Sequence, residues 1–254
     1  MKLGFVGAGN MATALAVGIG EQVLVHDPDR ARAQALAERV GGATCSSNRE
    51  LAERADLVVL CCKPAQLQTV AGEIRGHVAA VASVLALTPL AALAAEFGDE
   101  VPLYRLMPNL PVAVGRGVIG YVPGPNAADG PERELRALLG RAGEVVEVAE
   151  RDLDALMALA SCGPAFVARF LAELAAAGAR LGLDPELAGR LAQLTAGGTL
   201  AYLDAERIEP AELERRVATP GGATERGLRQ LDELGFGRAV AQALAAAAGK
   251  VATS

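Results

Sequence analysis

The chain has 254 residues, of which 52% are apolar, 21% charged and 3% aromatic, and its formal net charge is −6. The apolar content excludes intrinsic disorder, and the acidic balance argues against a nucleic-acid-binding protein. The length suffices for one large or two modest domains with a real core. The only lysines are Lys2, Lys63 and Lys250, and the only histidines are His26 and His77. Reactions that need a lysine Schiff base or a histidine relay therefore have few candidates.

The cysteines predict a reducing compartment. Cys45, Cys61, Cys62 and Cys162 form neither a CxxC pair nor a zinc spacing. We therefore expect free thiols in the cytoplasm and no bound metal. The N-terminus lacks the basic segment of a signal peptide, which agrees with a cytoplasmic location.

An uncharged stretch over residues 78–95 is long enough to raise the question of a membrane helix. Ser83, Thr88 and Pro89 interrupt it. We predict a buried strand that ends near Leu87, followed by a helix with Pro89 in its first turn. The sequence thus predicts no membrane partner.

The first 150 residues alternate short β-branched runs with stretches of helical length and composition. Strands are predicted at Leu3–Val6, Gln22–His26, Ala43–Cys45, Leu57–Cys61, Val81–Leu87, Val101–Leu106, Val118–Val122 and Val145–Val148. This alternation indicates a parallel sheet with crossover helices, and the continuous apolar strands fit a sheet covered on both faces. The loop Pro123–Asn126 precedes a helix that begins near Pro131.

From Asp152 onward the strand signal disappears. Helices are predicted over Asp152–Ala160, Ala165–Leu181, Pro185–Ala205, Pro210–Val217, Thr224–Leu234 and Arg238–Val251, with Asp184 as an N-cap. The predicted fold class is α/β: an N-terminal Rossmann-type doubly wound sheet over 1–150, followed by an all-α domain over 151–254. Ala-rich helix faces such as 171–178 are so apolar that we expect an oligomer built on this half.

A dinucleotide-binding pattern follows the first strand. The run Gly7-Ala8-Gly9-Asn10-Met11-Ala12 has the form G-x-G-x-x-A and opens a helix. The first glycine permits a tight turn, the second lets the backbone approach a pyrophosphate, and the alanine allows close helix–strand packing. The helix N-terminus offers free N–H groups to phosphates. The pattern predicts binding of NAD or NADP.

The choice between these two cofactors stays open. Asp27, at the end of the second strand, favours NAD by accepting a hydrogen bond from the ribose 2′-OH. Arg30 and Arg32 are instead able to meet the 2′-phosphate of NADP. In a third interpretation Asp27 and Pro28 only cap the second helix, and both arginines are solvated.

Two further segments are candidates for the chemistry. The loop Thr219-Pro220-Gly221-Gly222-Ala223-Thr224 lies between two helices, and its glycines and the following helix N-terminus are suited to a substrate carboxylate. Its alternative role is an ordinary helix connector. Asn109 follows the sixth strand at the edge where ligands bind in such sheets. Its alternative role is to form a turn.

Together these motifs resemble those of the Δ1-pyrroline-5-carboxylate reductase family, over essentially the whole chain. The matching segments in chain order are 4–12, Asn48, 63–64, 107–109, 162–166 and 219–224. The resemblance implies reduction of a cyclic imine carboxylate to proline with NADPH or NADH. It also implies a C-terminal helical dimerisation domain that interlocks two subunits, with the substrate at their interface and a homodimer or ring of dimers as the assembly.

The resemblance also implies roles by position. The cofactor-binding residues would be Gly7, Ala8, Gly9, Asn10, Met11, Asp27, Asn48, Cys62, Lys63, Pro64 and Asn109. Thr219, Gly221 and Gly222 would hold the substrate carboxylate, and the catalytic Thr224 hydroxyl would lie near the ring nitrogen. A pyrroline nitrogen is basic enough to be largely protonated, so orientation and electrostatics matter more than a strong acid.

The chain departs from the family pattern towards the reacting end of the cofactor. The departures are Leu85, Leu87, Leu110, Cys162 and Glu225. They leave open a reductase of a different imine, or a non-catalytic nucleotide-binding regulator of the same fold. A hydroxyacid dehydrogenase of the 6-phosphogluconate type is disfavoured, because its helical-domain lysine has only Lys250 as a counterpart.

Overall fold

The computed structural model describes residues 1–249 and divides after Ser161 into two units. In the first unit one sheet contains β1 (Leu3–Val6), β2 (Val23–His26), β3 (Ala43–Thr44), β4 (Leu57–Leu60), β5 (Val81–Ser83), β6 (Leu103–Pro108), β7 (Gly117–Pro123) and β8 (Gly143–Glu147). Their order is β3-β2-β1-β4-β5-β6-β7-β8. The order reverses around β1, as in a doubly wound sheet. The predicted fold class is confirmed.

Helices cover the sheet on both faces. They are α1 (Asn10–Ile19), α2 (Arg30–Val40), α3 (Asn48–Arg54), α4 (Leu67–Ile74), α5 (Leu90–Phe97), α6 (Glu132–Ala142) and the short α7 (Leu153–Leu156). Each face has its own buried cluster. Phe5 and Leu57 belong to the cluster that includes Leu15 of α1, whereas Leu60 belongs to the one that includes Leu51 of α3.

The sheet differs from the all-parallel expectation at one pair of strands. β6 and β7 are antiparallel, with Leu106 opposite Tyr121. The connection between them contains only a 3₁₀ turn, Leu110–Val114. A parallel crossover needs about a dozen residues or more, so the chain returns beside β6 in the opposite direction.

The fifth strand is shorter than predicted. It ends at Ser83, and the chain then turns through Leu87, a non-glycine residue at φ +57°. The Ser83 hydroxyl accepts a hydrogen bond from the Leu85 N–H at 3.2 Å, and the Thr88 hydroxyl donates to the Ala86 carbonyl at 3.2 Å. These side-chain bonds replace the ladder bonds of a longer strand. The predicted strand end near Leu87 is therefore wrong.

The second unit is helical within its described residues. It contains α8 (Gly163–Arg180), α9 (Pro185–Glu206), α10 (Pro210–Val217), α11 (Ala223–Glu233) and α12 (Phe236–Ala247). The predicted N-cap is confirmed, because the Asp184 carboxylate accepts from the Leu187 N–H at 3.0 Å. The predicted helix over Asp152–Ala160 is α7 continued as a π-helix over Met157–Ser161. The predicted helix end at Val251 lies outside the described residues.

The helical segment Glu150–Arg180 is long and apolar enough to span a membrane by length and composition, and only 6% of its most apolar window is buried. This segment, rather than residues 78–95, carries the membrane-like signal. Arg169 and Glu173 lie one turn apart within it, with their charged groups 3.8 Å apart. Two charges near the middle of a helix disfavour a lipid environment.

Candidate active site

The glycine-rich turn lies where β1 meets α1. Gly7 has φ +102°, and an added Cβ would lie 2.7 Å from the Cys61 carbonyl oxygen. Its N–H donates to the His26 carbonyl at 2.8 Å, which ties the turn to the end of β2. Only glycine fits this position, because both the backbone conformation and the contact exclude a side chain.

The next glycine leaves the end of α1 open. Gly9 is the N-cap, it provides no side-chain cap, and the first turn of α1 contains no acidic residue. An added Cβ on Gly9 would meet nothing within 4 Å. Ala12 is buried and lets the helix pack closely on the sheet, whereas Asn10 is exposed and Met11 half-buried. Uncapped N–H groups beside open space fit a pyrophosphate.

A cleft of ≈ 410 Å³ lies at this edge of the sheet. It brings together six of the predicted cofactor residues, which are Gly7, Gly9, Asp27, Asn48, Cys62 and Lys63. The predicted residues Ala8, Asn10, Met11, Pro64 and Asn109 do not line it. The cleft thus joins the glycine-rich turn to the ends of β2 and β4.

Asp27 is held by two backbone donors. One of its carboxylate oxygens accepts from the Ala8 N–H at 2.8 Å, and the other accepts from the Asp29 N–H at 2.8 Å. The first bond connects the end of β2 directly to the glycine-rich turn. Asp27 is therefore more than a helix cap, because the cap of α2 is the side chain of Asp29.

Asn48 is buried against the same cleft. Its amide nitrogen donates to a carboxylate oxygen of Glu73 at 2.7 Å, while its amide oxygen is buried without a partner within the described residues. Sequence reasoning missed Glu73, and its position near the C-terminal end of α4 gave no signal. An unpaired buried oxygen is unusual and suits a hydroxyl donor from a ligand.

Asn109 is a buried residue whose amide is already occupied. Its nitrogen donates to the Ala160 carbonyl at 2.9 Å, and its oxygen accepts from the Val118 N–H at 2.9 Å. The geometry fits the turn-forming role left open by the sequence. A contact between Asn109 and a cofactor stays a prediction.

The strand end after β4 is shaped by a short 3₁₀ turn, Pro64–Gln66. Gln66 accepts from the Lys63 N–H at 3.0 Å, and Lys63 and Pro64 are exposed. All four cysteines are free, as expected. Burial raises the pKa of both the Cys61 and the Cys62 thiol, so neither is an activated nucleophile at neutral pH.

The candidate substrate loop lies in the second unit, between α10 and α11. Gly221 has φ +71°, and the Gly222 N–H donates to the Thr219 carbonyl at 2.8 Å. An added Cβ on Gly222 would collide with the Thr219 hydroxyl. Thr224 is exposed in the first turn of α11. The shape of the loop therefore depends on its two glycines, and its role in binding the substrate stays a prediction.

Glu225 closes part of this loop. Its carboxylate accepts from the Gly221 N–H at 2.7 Å, and the Arg226 guanidinium donates to the Gly221 carbonyl at 2.7 Å. The departure from the family pattern at Glu225 thus places a carboxylate on an N–H group predicted to receive the substrate's carboxylate. The sequence identified Glu225 as a departure but did not predict its contact with the Gly221 N–H.

The remaining departures differ in exposure. Leu85 is 2% exposed, whereas Leu87 and Leu110 are 76% and 55% exposed at the edge of the sheet. Within residues 1–249 no group of three or more His, Cys, Asp and Glu side chains is arranged to hold a metal ion. Lys250, the one counterpart of a dehydrogenase lysine, lies outside the described residues.

Comparisons with known proteins cover nearly the whole chain. A family model described as pyrroline-5-carboxylate reductase dimerisation matches residues 150–253, and one described as NADP oxidoreductase, coenzyme F420-dependent, matches residues 2–86. A pyrroline-5-carboxylate reductase of Aquifex aeolicus is 33% identical over 93% of this chain and 91% of that protein. Pyrroline-5-carboxylate reductase 3 of Rattus norvegicus is 34% identical over 97% of this chain and 93% of that protein.

Solved structures agree. Pyrroline carboxylate reductase of Plasmodium falciparum, with NADP bound, has a TM-score of 0.88 at 29% identity and covers 98% of this chain and 96% of that one. 1-Pyrroline-5-carboxylate reductase of Streptococcus pyogenes has a TM-score of 0.90 at 26% identity, with 98% and 97% covered. The chain belongs to the pyrroline-5-carboxylate reductase family.

Proposed function

We propose that this protein is an NAD(P)H-dependent oxidoreductase that reduces the C=N bond of 1-pyrroline-5-carboxylate, giving proline in proline biosynthesis. The observation that carries the proposal is the uncapped N-terminus of α1 under the Gly7–Gly9 turn. It supplies a dinucleotide cradle in a chain whose relatives are named for this reaction over more than nine-tenths of its length.

The residues of the cleft fit the cofactor. The turn and the N–H groups of α1 would hold the pyrophosphate, and Asp27 and Asn48 would face the adenosine ribose. When bound, the dihydronicotinamide supplies a hydride. The protein contributes position and electrostatics, which agrees with thiols that burial keeps protonated and with the scarcity of lysine and histidine.

The substrate loop would act on the other reactant. Backbone N–H groups of Gly221 and Gly222 would bind its carboxylate, after Glu225 releases the Gly221 N–H and the Thr219 carbonyl releases the Gly222 N–H. A hydride received at the ring carbon of the C=NH⁺ group would convert the π electrons into the lone pair of the amine. Because the nitrogen carries its proton before transfer, Thr224 need only orient it by a hydrogen bond.

The assembly proposed for the enzyme is a homodimer or a ring of dimers. The second unit matches a dimerisation family, and α8 has no buried residue within one chain. A surface of this kind marks a protein interface when it is contiguous. Association of two copies covers it without a membrane, and the cytoplasmic location expected from the cysteines stays a prediction.

The test is a direct assay. Purified protein is mixed with pyrroline-5-carboxylate and NADH or NADPH, the loss of dihydronicotinamide absorbance is followed, and proline is identified by mass. We expect turnover and one proline per cofactor oxidised. Cofactor binding by calorimetry without any turnover would support the non-catalytic regulator instead, and turnover only with other imines would reassign the substrate.

A variant tests the role of the hydroxyl. Thr224→Ala should lower kcat by about 10- to 100-fold, as expected for the loss of one hydrogen bond to a charged group, and leave the cofactor Kd unchanged. Thr69→Ala, an exposed threonine of α4, is the matched control and should change neither value. Unchanged turnover in Thr224→Ala would remove the hydroxyl from the mechanism.

A further inference from the structure

The adenosine end of the site is unusually rich in acceptors. A second cleft, of ≈ 810 Å³, lies on the other side of Asp27 and Pro28, which line both clefts. Asp27 therefore stands between the glycine-rich turn and the first residues of α2. A nucleotide whose pyrophosphate lies on α1 presents its adenosine ribose to the end of β2, which is the position of Asp27.

The orientation of the Asp27 carboxylate is fixed while half of its capacity stays free. The N–H groups of Ala8 and Asp29 each take one oxygen, both at 2.8 Å. An ionised carboxylate accepts about four hydrogen bonds, so about two remain. Two acceptor positions match the two hydroxyl donors of an unphosphorylated ribose. They offer nothing to a 2′-phosphate, which has no donor at neutral pH.

Two of the groups that would bind a 2′-phosphate already have a carboxylate partner. The Asp29 carboxylate caps α2 by accepting from the Ala31 and Arg32 N–H groups at 3.1 and 3.3 Å. It also pairs with the Arg32 guanidinium at 3.2 Å. The helix N-terminus and one of the two candidate arginines are thus both occupied by a carboxylate. Arg30, which lines the second cleft, is the cation left for a phosphate.

The hydrogen-bond donors on the opposite wall of the clefts also already have partners. Glu50 accepts from the Ser46 N–H at 2.7 Å and from the Ser46 hydroxyl at 2.6 Å. These bonds lower the pKa of Glu50 to about 2, so it is charged at neutral pH. The Asn48 amide nitrogen is taken by Glu73. Glu50 also pairs with the Arg54 guanidinium at 2.6 Å, so a phosphate here would find these N–H and O–H donors already taken by carboxylates.

We propose that Asp27 makes this enzyme selective for NADH over NADPH. The proposal rests on the nucleotide site of the proposed function and adds the cofactor that this chain selects. The proposed preference for NADH contrasts with the structure of the Plasmodium falciparum relative, which contains NADP. Selectivity arises mainly by repulsion, since the carboxylate that accepts from the ribose hydroxyls opposes the extra phosphate.

The first measurement is binding, which needs no turnover. Calorimetry on the intact protein compares NAD⁺ with NADP⁺, and 5′-AMP with adenosine 2′,5′-bisphosphate, which isolates the adenosine end. We expect the unphosphorylated member of each pair to bind at least about tenfold more tightly, because like charges brought together across a site are strongly disfavoured. The kcat/KM for NADH should exceed that for NADPH by a similar factor.

Variants then assign the effect to one carboxylate. Asp27→Asn keeps an acceptor for the Ala8 N–H and removes the charge, so the preference should shrink at least about fivefold. Asp27→Ser provides a second test if the asparagine variant folds poorly. Asp232→Asn removes an equal charge from an exposed position in α11 and should leave the preference unchanged.

Two results would overturn the proposal: wild-type protein that binds the 2′-phosphorylated ligands equally or more tightly, or an Asp27→Asn variant whose preference equals that of wild type. Failure of the proposed function has a different signature. Protein that binds NAD⁺ selectively but reduces no pyrroline-5-carboxylate refutes the reaction and keeps the selectivity. Protein that binds neither dinucleotide refutes both.

Discussion

The two units use the same kinds of apolar side chain in opposite ways. In the first, Phe5, Leu57 and Tyr104 are all 0% exposed. In the second, Phe170, Leu194 and Leu200 are 47%, 60% and 65% exposed. Within residues 162–249 only Ala188 and Ala192 reach full burial. The first unit contains a closed core, whereas the large apolar side chains of the second unit lie exposed on its surface.

This difference shows where stability and association reside. Burial of apolar area contributes about 25 cal/mol per Å². The exposed faces of α8, α9 and α12 therefore contribute to stability only when a partner chain buries them. The first unit gains its stability from its own chain. We therefore expect changes in the first unit to act on folding, and changes in the second to act on association.

The largest effect is expected at the aromatic pair of the second unit. Phe170 lies 6.1 Å from Phe236, measured between ring centroids. Phe170→Glu would place a charge inside the expected interface and should weaken self-association by at least about 4 kcal/mol, as for a central hot spot. Sedimentation velocity at micromolar concentration measures the loss, and activity should fall with it.

The matched control for that variant is Val114→Glu. Val114 is 74% exposed and belongs to the first unit, so its charge should leave the sedimentation coefficient unchanged. An unaltered assembly in Phe170→Glu would show that this face is not the interface.

Next in size is a core truncation in the sheet. Leu57→Ala should cost about 3 kcal/mol of unfolding free energy, since it leaves a cavity in a fully buried strand. Its cost should be the same at every protein concentration. Leu200→Ala on α9 should instead give a cost that grows with protein concentration, because its partner is a second chain. Urea unfolding at two concentrations distinguishes these behaviours.

A smaller effect is expected at the buried ion pair of β6. Arg105 has a side chain 5% exposed and pairs with Glu150 at 2.8 Å, and Glu150 also accepts from the Leu90 N–H at 2.7 Å. Glu150→Ala leaves a buried guanidinium unpaired. We expect a loss of about 2 kcal/mol, below the full range for buried pairs because the Glu150 side chain is 34% exposed.

The exposed ion pair of Arg136 and Glu147 provides the comparison, with side chains 37% and 54% exposed. Glu147→Ala should cost less than about 1 kcal/mol. If chemical denaturation showed equal losses of unfolding free energy in the two variants, burial would not determine how much these ion pairs contribute to stability.

The smallest effect is expected at the turn after β5. Leu87 holds φ +57° with an exposed side chain, so Leu87→Gly relieves backbone strain without creating a cavity. We expect a gain of about 0.5–1 kcal/mol. Leu85→Gly, two residues away and buried, should lose stability. A loss in Leu87→Gly, measured by its urea midpoint, would show that its side chain has an unrecognised contact.

Local pattern was enough to predict the fold class. The β-branched runs marked the strands, and Asp184 with Pro185 marked the start of α9. The end of β5 was wrong because Ser83 and Thr88 bind nearby backbone groups, a local competition that hydrophobicity does not report. The reversal at β7 follows from the short connection after Asn109. The alternation of predicted strands and helices does not show that this connection is too short for a parallel crossover.

The site was less predictable because its details depend on distant pairs. The spacing of Asp27 from the glycine-rich turn was visible, but the bond to the Ala8 N–H depends on the turn's shape. The Asn48–Glu73 contact joins residues 25 positions apart, and no periodicity connects them. Glu225 appeared only as a departure, since a carboxylate folded onto Gly221 has no signature in sequence.

The central claim is hydride transfer to a cyclic imine, and isotope transfer tests it most directly. The protein is incubated with pyrroline-5-carboxylate and NADH that carries deuterium at the transferable position of the nicotinamide, using both stereoisomers in separate reactions. We predict that one stereoisomer yields proline with deuterium on the ring carbon formerly double-bonded to nitrogen. Proline without deuterium from either stereoisomer, or no proline at all while the cofactor binds, would contradict the account.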